Sequence, residues 1–334
     1  MMPRRSVAAT DPRGEPGAPL APFRGRLARL LGPLHVTGVV WFRLHAFGAG
    51  LPEPLKRLAI GVFTALFHFA LVRIRRAVAA NLEAPLGPCG RVERERRIWR
   101  TFHAFAWSQT ERYESLLGGG GFSVATEGRE HWERALAGDR GLVLVTGHVG
   151  NWEMASMVPA AAEGRTTHVV REEELDPRAQ AWVARRLGGR EGAGYTTHFA
   201  HHDPLLGLAL REALERGEIV ALQGDRPRRG GGALPAEMFD RPVSLPVGPL
   251  ALARQTGVPV LPAFVHREGR RRYTVVFAPA FTVERTAERQ RDLARAARRL
   301  AAELEGAVRR SPHQWFVFRE LWPAPLRGEV RAAG

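Results

Sequence analysis

Short apolar runs alternate with amphipathic segments along the chain after Gly121, and this alternation restricts the possible fold more than any other feature. Short apolar runs bounded by turn residues are typical of buried strands, whereas apolar residues at helical spacing predict helices. Strands that alternate with helices predict an α/β fold with a mostly parallel central sheet flanked by helices. The predicted strands are FSVAT, GLVLVT, THVVR, EIVALQ, VPVLPAFVH and RYTVVFA, and the predicted helices include REHWERALA, LLGLALREALER, GPLALARQT and Thr286 to Arg310.

Composition divides the rest of the chain into further segments. The first residues include ATDPRGEPGAPLAP and lack the apolar core of a signal peptide, so residues 1–21 are predicted to be a disordered tail. Residues 22–117 are predicted to form an N-terminal helical, membrane-associated segment that ends at the glycine run Gly118 to Gly121. The α/β domain is then expected over residues 118–325, followed by a C-terminal tail, 326–334.

The N-terminal segment contains an apolar run, Leu58 to Val72, that is shorter than the ~20 residues needed to cross a bilayer. Basic residues flank it on both sides, which is typical of a helix that lies in, or dips into, an anionic membrane face. A buried core helix is the alternative, and spanning or dipping stays open. The flanking cations are Lys56, Arg57, Arg73, Arg75 and Arg76.

A formal net charge of +15 predicts attraction to a polyanion, which includes nucleic acid, an anionic membrane and a phosphorylated substrate. The Arg-rich segment Thr286 to Arg310 has no interleaved aromatic residues, so we expect no nucleic-acid partner. The single cysteine, Cys89, excludes an internal disulfide and a thiol-based zinc site. The stretch HFAHHDP is expected to be a loop with solvated histidines and no metal. It contains His198, His201, His202 and Asp203.

The stretch TGHVGNWE follows a predicted strand and combines residue types that suit proton transfer. Functional groups gather at the carboxyl edge of a parallel sheet, and His148 is placed there. Gly147 and Gly150 allow a tight turn, and Asn151 is a suitable N-cap for the next helix. From the first turn of that helix the Glu153 carboxylate can reach the imidazole. A histidine held by a carboxylate is a general base through its other nitrogen, so we expect this pair to be catalytic.

No candidate nucleophile accompanies the pair, because the chain has no G-x-S-x-G motif and Cys89 lies in a loop-like GPCG stretch. The substrate is therefore expected to supply the nucleophile, most simply a hydroxyl group. Backbone N–H groups near Gly150 and Asn151 are candidates for stabilising an oxyanion. The alternative is a structural His148 in a non-catalytic protein that binds anionic lipids.

The stretches TGHVGNWE, ALQGDRPRRG, MFDRPVSLPVGPLALARQTGVPVLPAFVHR and SPHQWFVF occur in this order between Arg76 and Pro323. Together they resemble the bacterial lipid A late acyltransferase family, within the lysophospholipid acyltransferase superfamily. The resemblance implies transfer of a fatty acyl chain from an acyl carrier protein or coenzyme A thioester to a hydroxyl of a phosphorylated glycolipid, such as a lipid A precursor. It also implies membrane lipids as partners, a location at the cytosolic face of the bacterial inner membrane, and no cofactor beyond the thioester co-substrate.

The chain departs from the family pattern at EMFDR, where Asp240 replaces a glycine, and at QGDRP. The acceptor therefore stays open: lysophospholipids, mannolipids and aminolipids are alternatives, and related mannoside acyltransferases of actinobacteria share the fold and chemistry. Acyl chain length, the choice of donor and the oligomeric state stay open as well.

Several residues near predicted strand ends are candidates for binding the substrate. Arg226 and Asp225 follow the strand EIVALQ, so we expect Arg226 to bind a phosphate group and Asp225 to orient it. Arg171 ends the strand THVVR, and Gly248 opens a helix whose free N–H groups attract anions. Asn151, in the histidine motif, completes the predicted binding set.

Overall fold

The computed structural model describes residues 39–152, 164–171, 177–187, 194–199, 205–227 and 231–322. Within these ranges, four helices precede the first strand: α1 (Val39–Ala49), α2 (Glu53–Ala70), α3 (Val72–Leu86) and α4 (Arg91–Leu116). The elements that follow are β1 (Ser123–Glu127), α5 (Arg129–Leu136), β2 (Leu142–Thr146), β3 (Thr167–Arg171), α6 (Pro177–Leu187), β4 (Tyr195–Phe199), α7 (Leu206–Glu215), β5 (Ile219–Gln223), β6 (Ala233–Met238), β7 (Arg241–Pro246), α8 (Val247–Thr256), β8 (Val260–Gly269), β9 (Arg272–Phe277), α9 (Arg289–Arg310) and a 3₁₀ helix (Pro312–Gln314).

Seven strands form one sheet in the order β1-β9-β8-β2-β5-β3-β4, and every neighbouring pair is parallel except β8 and β9. The predicted α/β class with a mostly parallel central sheet is therefore confirmed. Strand β2 is buried on both faces, since Val143 and Val145 pack with α8 and α9 while Leu142 packs with Trp132 of α5. Burial of both faces explains why β2 is a continuous apolar run.

Most predicted elements differ from the observed ones by a few residues at their ends. The strand THVVR has the predicted bounds, Thr167–Arg171. The closing helix begins at Arg289 instead of Thr286. Thr286 lies before the helix and donates its backbone N–H and its hydroxyl to the carboxylate of Asp292, at 3.0 and 2.8 Å. An apolar pattern predicts a helix well but places its ends less closely.

The antiparallel hairpin of β6 and β7 lies outside the main sheet and was not predicted. Its two-residue turn consists of Phe239 and Asp240, with φ of 54° and 57°. Two consecutive positive φ values are typical of a type I′ hairpin turn, which accepts aspartate as well as glycine. The Asp240 departure from the family pattern therefore fits the backbone of this turn.

Helix α2 differs from the predicted membrane helix in two respects. The chain bends by 93° between α2 and α3, so the apolar run Leu58 to Val72 is split at Leu71. Lys56, predicted to face an anionic membrane, is instead 4% exposed and pairs with Glu114 of α4. Arg75 likewise pairs with a glutamate of α4, at 2.6 Å. The predicted cations that remain exposed are Arg57, Arg73 and Arg76.

The two faces of α2 are reversed relative to a helix on a water-soluble surface. Its buried residues are mainly polar: Lys56, Ile60, Thr64 and His68. Its exposed large apolar residues are Leu55, Leu58, Val62, Leu66 and Phe69. In the described residues no single helix is both long and apolar enough to cross a membrane, although α2 and α3 together, across their bend, meet that length and composition. Membrane binding of this segment stays a prediction.

Candidate active site

The loops that follow β2 and β5 carry the central side chains of the site. These strands are parallel, and Thr146 lies opposite Gln223 at their carboxyl ends. His148 and Asp225 each lie two residues beyond that pair, so the register of the two strands brings them together. Although 77 positions separate them in the chain, they are in direct contact.

Three glycines let the backbone pass close to its neighbours around this contact. A Cβ atom at Gly224 would lie 2.3 Å from the Val145 side chain, and one at Gly147 would lie 2.9 Å from a leucine of α9. Gly150 has a φ of 61°, and a Cβ atom there would lie 1.7 Å from the carbonyl oxygen of Val265. The tight turn predicted after β2 is therefore present, and even alanine at position 150 would force the backbone to shift.

The Asp225 carboxylate holds His148 through two hydrogen bonds. Its Oδ1 lies 2.7 Å from the imidazole Nδ1, and its Oδ2 accepts the backbone N–H of His148 at 2.9 Å. Both residues are buried. Because an ionised carboxylate only accepts hydrogen bonds, it requires the proton on Nδ1. The lone pair of the ring therefore lies on Nε2, the nitrogen through which a histidine held in this way acts as a general base.

The Asp225 carboxyl group stays ionised despite its burial. Burial alone would raise its pKa, but the electrostatic attraction and hydrogen bonds of His148, together with the charge of Arg226, outweigh that effect and lower the pKa of Asp225 to about 2. Asp225 therefore carries a negative charge over the whole physiological range and can stabilise a positive charge that forms on the imidazole.

Arg226 contacts the opposite side of the same imidazole. One of its terminal nitrogens lies 2.7 Å from Nε2 of His148. Asp225 was predicted to orient Arg226, whereas its carboxylate binds His148 on both oxygens. The predicted assignment of Asp225 is thus corrected: its main partner is His148 and not Arg226, its neighbour along the chain. The sequence contained one signal for this contact, the aspartate at the equivalent distance beyond the adjacent predicted strand.

Residues near the C-terminal end of the described chain hold the loop that contains His148 in place. The backbone N–H of Gly150 donates to the carbonyl of Gln314 at 2.8 Å, and that of Phe316 donates to the carbonyl of His148 at 2.8 Å. These contacts explain structurally why SPHQWFVF accompanies TGHVGNWE. They also correct the prediction that the Gly150 N–H stabilises an oxyanion, because that donor already has a backbone partner.

Asn151 anchors the loop on its third side. Its side-chain amide donates to the carbonyl of Ser108 in α4 at 3.0 Å and lies 3.4 Å from the hydroxyl of Tyr273 in β9. The Tyr273 hydroxyl donates to Glu111 of α4. Burial and the negative charge of Glu111 raise the pKa of Tyr273, so the phenol remains a donor. The predicted helix after Asn151 lies mostly outside the described residues.

A partly buried ion cluster supports these anchors and joins α2, α4 and the β8–β9 turn. Arg267 donates to both oxygens of the fully buried Glu111, at 2.9 and 3.0 Å. Arg270 donates to both oxygens of Glu114, at 2.7 and 2.6 Å. The remaining members are Glu53, Lys56 and Arg271. Sequence reasoning missed this cluster, because its charges come from three distant segments.

Arg171 and Gly248, two of the remaining predicted site residues, lie on other elements than His148 and Asp225. Arg171 ends β3, at the same edge of the sheet as Asp225 but on the next strand. Gly248 is exposed in the first turn of α8, which follows the β6–β7 hairpin. Glu153 lies outside the described residues, so its pairing with His148 stays a prediction.

The histidine-rich stretch is only partly described. His198 lies in β4 rather than in a loop, and its Nε2 lies 2.8 Å from Nδ1 of His168 in β3. The expected loop is therefore wrong at this residue. The predicted metal-free state is untested. The other members of the stretch, His201, His202 and Asp203, lie outside the described residues.

Comparison with known proteins identifies similar sequences. Residues 36–323 match the sequence profile described as bacterial lipid A biosynthesis acyltransferase. The chain is similar to a phosphatidylinositol mannoside acyltransferase of Mycobacterium tuberculosis (strain ATCC 25618 / H37Rv), with 28% identity over 302 residues, which cover 89% of this chain and 84% of the relative. It is also similar to the protein of that name from Mycolicibacterium smegmatis (strain ATCC 700084 / mc(2)155), with 27% identity over 209 residues, 61% of this chain and 64% of the relative.

Proposed function

Because the chain belongs to the bacterial lipid A biosynthesis acyltransferase family and is thus an acyltransferase, we propose that it moves a fatty acyl chain from a thioester donor to a hydroxyl of a phosphorylated glycolipid. The observation that carries this proposal is the buried contact between His148 and Asp225 at the carboxyl edge of the sheet. It supplies a general base of defined tautomer, which is what a hydroxyl needs in order to attack a thioester.

In the proposed reaction, Nε2 of His148 takes the proton of the acceptor hydroxyl while the hydroxyl oxygen bonds to the thioester carbonyl carbon. Asp225, held at Nδ1, stabilises the imidazolium that forms. The tetrahedral intermediate then breaks its carbon–sulfur bond, and the departing thiolate takes the proton from Nε2. The products are the acylated lipid and the free thiol, and His148 returns to its neutral form.

Two classes of acceptor are supported to different degrees. The mycobacterial relatives are named as phosphatidylinositol mannoside acyltransferases, which favours a mannosylated phosphatidylinositol. The family description favours a lipid A precursor. Both lipids carry phosphate and free hydroxyls, and Arg226 beside His148 is the residue that we assign to the phosphate. Either an acyl carrier protein or coenzyme A can present the thioester.

We also propose that the reaction takes place at the cytosolic face of the inner membrane, with α2 docked on the bilayer. Its exposed leucine and phenylalanine side chains lie on one face, and Phe69 is 73% exposed. Burial of such side chains in lipid is favourable by roughly 25 cal/mol per Å². Arg57, Arg73 and Arg76 add attraction to anionic lipids.

The activity is tested by incubating purified protein with palmitoyl-coenzyme A or palmitoyl-acyl carrier protein and one acceptor at a time: phosphatidylinositol mannoside, a lipid A precursor or a lysophospholipid. Lipid mass spectrometry then shows which acceptor gains an acyl chain. We expect acylation of one of the two glycolipids. Acylation of the lysophospholipid alone would contradict the proposed acceptor class.

Membrane docking is tested by sedimentation with vesicles that contain anionic phospholipid. Leu66→Glu places a charge on the exposed face of α2 and should release most of the protein into the supernatant. Leu208→Glu changes a leucine that is also exposed, but in α7, and should leave sedimentation unchanged. Equal sedimentation of wild type and Leu66→Glu would contradict docking through α2.

A further inference from the structure

Both ring nitrogens of His148 are engaged by charged side chains. Nδ1 donates its proton to Asp225, and Nε2 lies 2.7 Å from the Arg226 guanidinium. A guanidinium has only donors, so this contact uses the lone pair of Nε2. Since an imidazole nitrogen has a single lone pair, the base cannot accept a substrate proton while Arg226 remains in place.

The positive charge of Arg226 has a second effect on the base. Any proton transferred to Nε2 would form an imidazolium in direct contact with a guanidinium, and two like charges at this distance repel strongly where water is excluded. His148 is 4% exposed and Arg226 is half-buried, so solvent screens this repulsion only in part. Arg226 therefore opposes proton transfer both by occupying Nε2 and by its charge.

We propose that Arg226 blocks Nε2 of His148 until a phosphate group of a substrate draws its guanidinium away. We call this blocking contact between Arg226 and His148 the latch. A phosphate offers the guanidinium two charge-assisted hydrogen bonds, which are stronger than one bond to a neutral imidazole. When Arg226 turns to the phosphate, Nε2 becomes available beside the hydroxyl to be acylated. The inference rests on the proposed function, because it needs a thioester donor and a phosphorylated substrate.

Release requires only a movement of the Arg226 side chain. Asp225 is held by two hydrogen bonds on one side of it, and Pro227 follows on the other. Proline restricts the backbone of the preceding residue to extended conformations, so the main chain at Arg226 is constrained. The side chain itself is half-buried, which leaves it room to reach a group that enters from outside.

The latch predicts protection of the donor. Without the latch, water can take the place of the acceptor hydroxyl, and its oxygen bonds to the thioester carbonyl carbon while one of its protons goes to Nε2. The departing thiolate then takes that proton, and the products are a fatty acid and a thiol. A closed latch suppresses this loss until a phosphorylated substrate is bound. Arg226 thus couples donor cleavage to the presence of the correct substrate.

The test measures thiol release from palmitoyl-N-acetylcysteamine, a thioester without phosphate, in the absence of acceptor. We expect Arg226→Gln to hydrolyse it roughly tenfold faster than wild type, because the neutral glutamine side chain binds Nε2 more weakly than the guanidinium does and does not repel an imidazolium. Arg226→Lys keeps a cationic donor and should stay slow. Arg211→Gln removes one exposed arginine of α7 and serves as the matched control. The double variant His148→Ala/Arg226→Gln should lose the gain, which excludes a contaminating thioesterase.

Two further arms identify the source of the phosphate. Inorganic phosphate, against chloride at equal ionic strength, should accelerate hydrolysis by wild type but not by Arg226→Gln. Replacing the thioester by palmitoyl-coenzyme A tests whether the donor phosphate releases the latch; fast hydrolysis without acceptor would assign release to the donor, and slow hydrolysis to the acceptor.

Hydrolysis by Arg226→Gln at or below the wild-type rate, in protein with a native circular dichroism spectrum, would overturn the latch even if lipids are acylated. Faster hydrolysis by Arg226→Gln would support it even if none of the tested lipids is acylated, so the two proposals fail separately.

Discussion

Among the described residues, the sheet brings together two histidine–carboxylate pairs with nearly equal contact distances, and only one of them lies where an active site is expected. His148 and Asp225 lie 2.7 Å apart, and His168 and Glu218 lie 2.8 Å apart. Each pair joins β5 to a neighbouring strand. His148 and Asp225 follow the carboxyl ends of their strands, whereas His168 lies near the start of β3 and Glu218 precedes β5.

The second nitrogen of each imidazole completes the difference. Nε2 of His148 lies 2.7 Å from a terminal nitrogen of Arg226, a half-buried side chain. Nδ1 of His168 faces His198 of β4, and Glu218 also binds Arg216. A histidine–carboxylate contact alone is therefore not diagnostic of catalysis. Position at the carboxyl edge and the group on the other ring nitrogen are the two features that separate the candidate base His148 from His168.

The largest expected effect is on His148. We expect His148→Ala to lower turnover by about 10²-fold to 10⁴-fold, because the general base is removed. The matched change His168→Ala should leave turnover within a few-fold of wild type. Acyl transfer by each purified variant, with folding checked by circular dichroism, measures the contrast. Equal losses in the two variants would remove the distinction between the pairs.

The next effect is on the carboxylates. Asp225→Asn preserves the shape of the side chain but removes the negative charge that would stabilise the imidazolium. We therefore expect a loss of turnover of roughly 10²-fold or more. Glu218→Gln is the matched change in the other pair and should have little effect on turnover. Steady-state kinetics should place the Asp225→Asn loss in kcat rather than in KM.

The effect of Asp225 on acid stability is smaller. The pKa of Asp225 is lowered in the folded protein to about 2 from 3.8, so its ionised form stabilises the fold above pH 3.8, and this contribution is lost as the pH falls through about 2. The shift corresponds to about 2 kcal/mol. The difference in free energy of unfolding between wild type and Asp225→Asn, measured with urea, should shrink towards low pH. A pH-independent difference would contradict the lowered pKa.

The smallest effect concerns the support of the His148 loop. Tyr273→Phe removes the hydroxyl that lies between Asn151 and Glu111, and the loss of one such hydrogen bond is worth about 0.5–1.5 kcal/mol. We expect kcat to fall by up to about tenfold with KM little changed. Tyr113→Phe is the control, since Tyr113 is equally buried in α4 but packs against Phe42. A larger fall in kcat for the control would contradict this support.

Local patterns predicted the place of the candidate catalytic histidine but not its contact with Asp225. Because His148 follows an apolar strand and is flanked by glycines, its place at the carboxyl edge could be read from neighbouring residues. The interpretation then assigned the nearest carboxylate along the chain, Glu153, to the imidazole. Asp225 was assigned to Arg226 instead of to His148, since its contact with the imidazole depends on the pairing of β2 with β5, which neither stretch reveals by itself.

The same limit applies to Lys56. Its place beside an apolar run predicted a cation at a membrane surface, because flanking basic residues are common there. The packing of α2 against α4 turns it inward to Glu114 and turns Leu58 and Phe69 outward. Sequence alone does not state which face of a helix meets a neighbour that comes from a distant part of the chain.

What the sequence determined by itself was the alternation of strands and helices, the glycine turn after β2 and the histidine within it. These features depend on residues within one or two turns of chain, so periodicity and turn chemistry suffice to predict them. Only the tertiary structure decided that Asp225 orients His148, that Arg226 covers Nε2 and that a partly buried ion cluster supports the loop. These contacts join segments far apart in sequence, and the order and register of the strands bring them together.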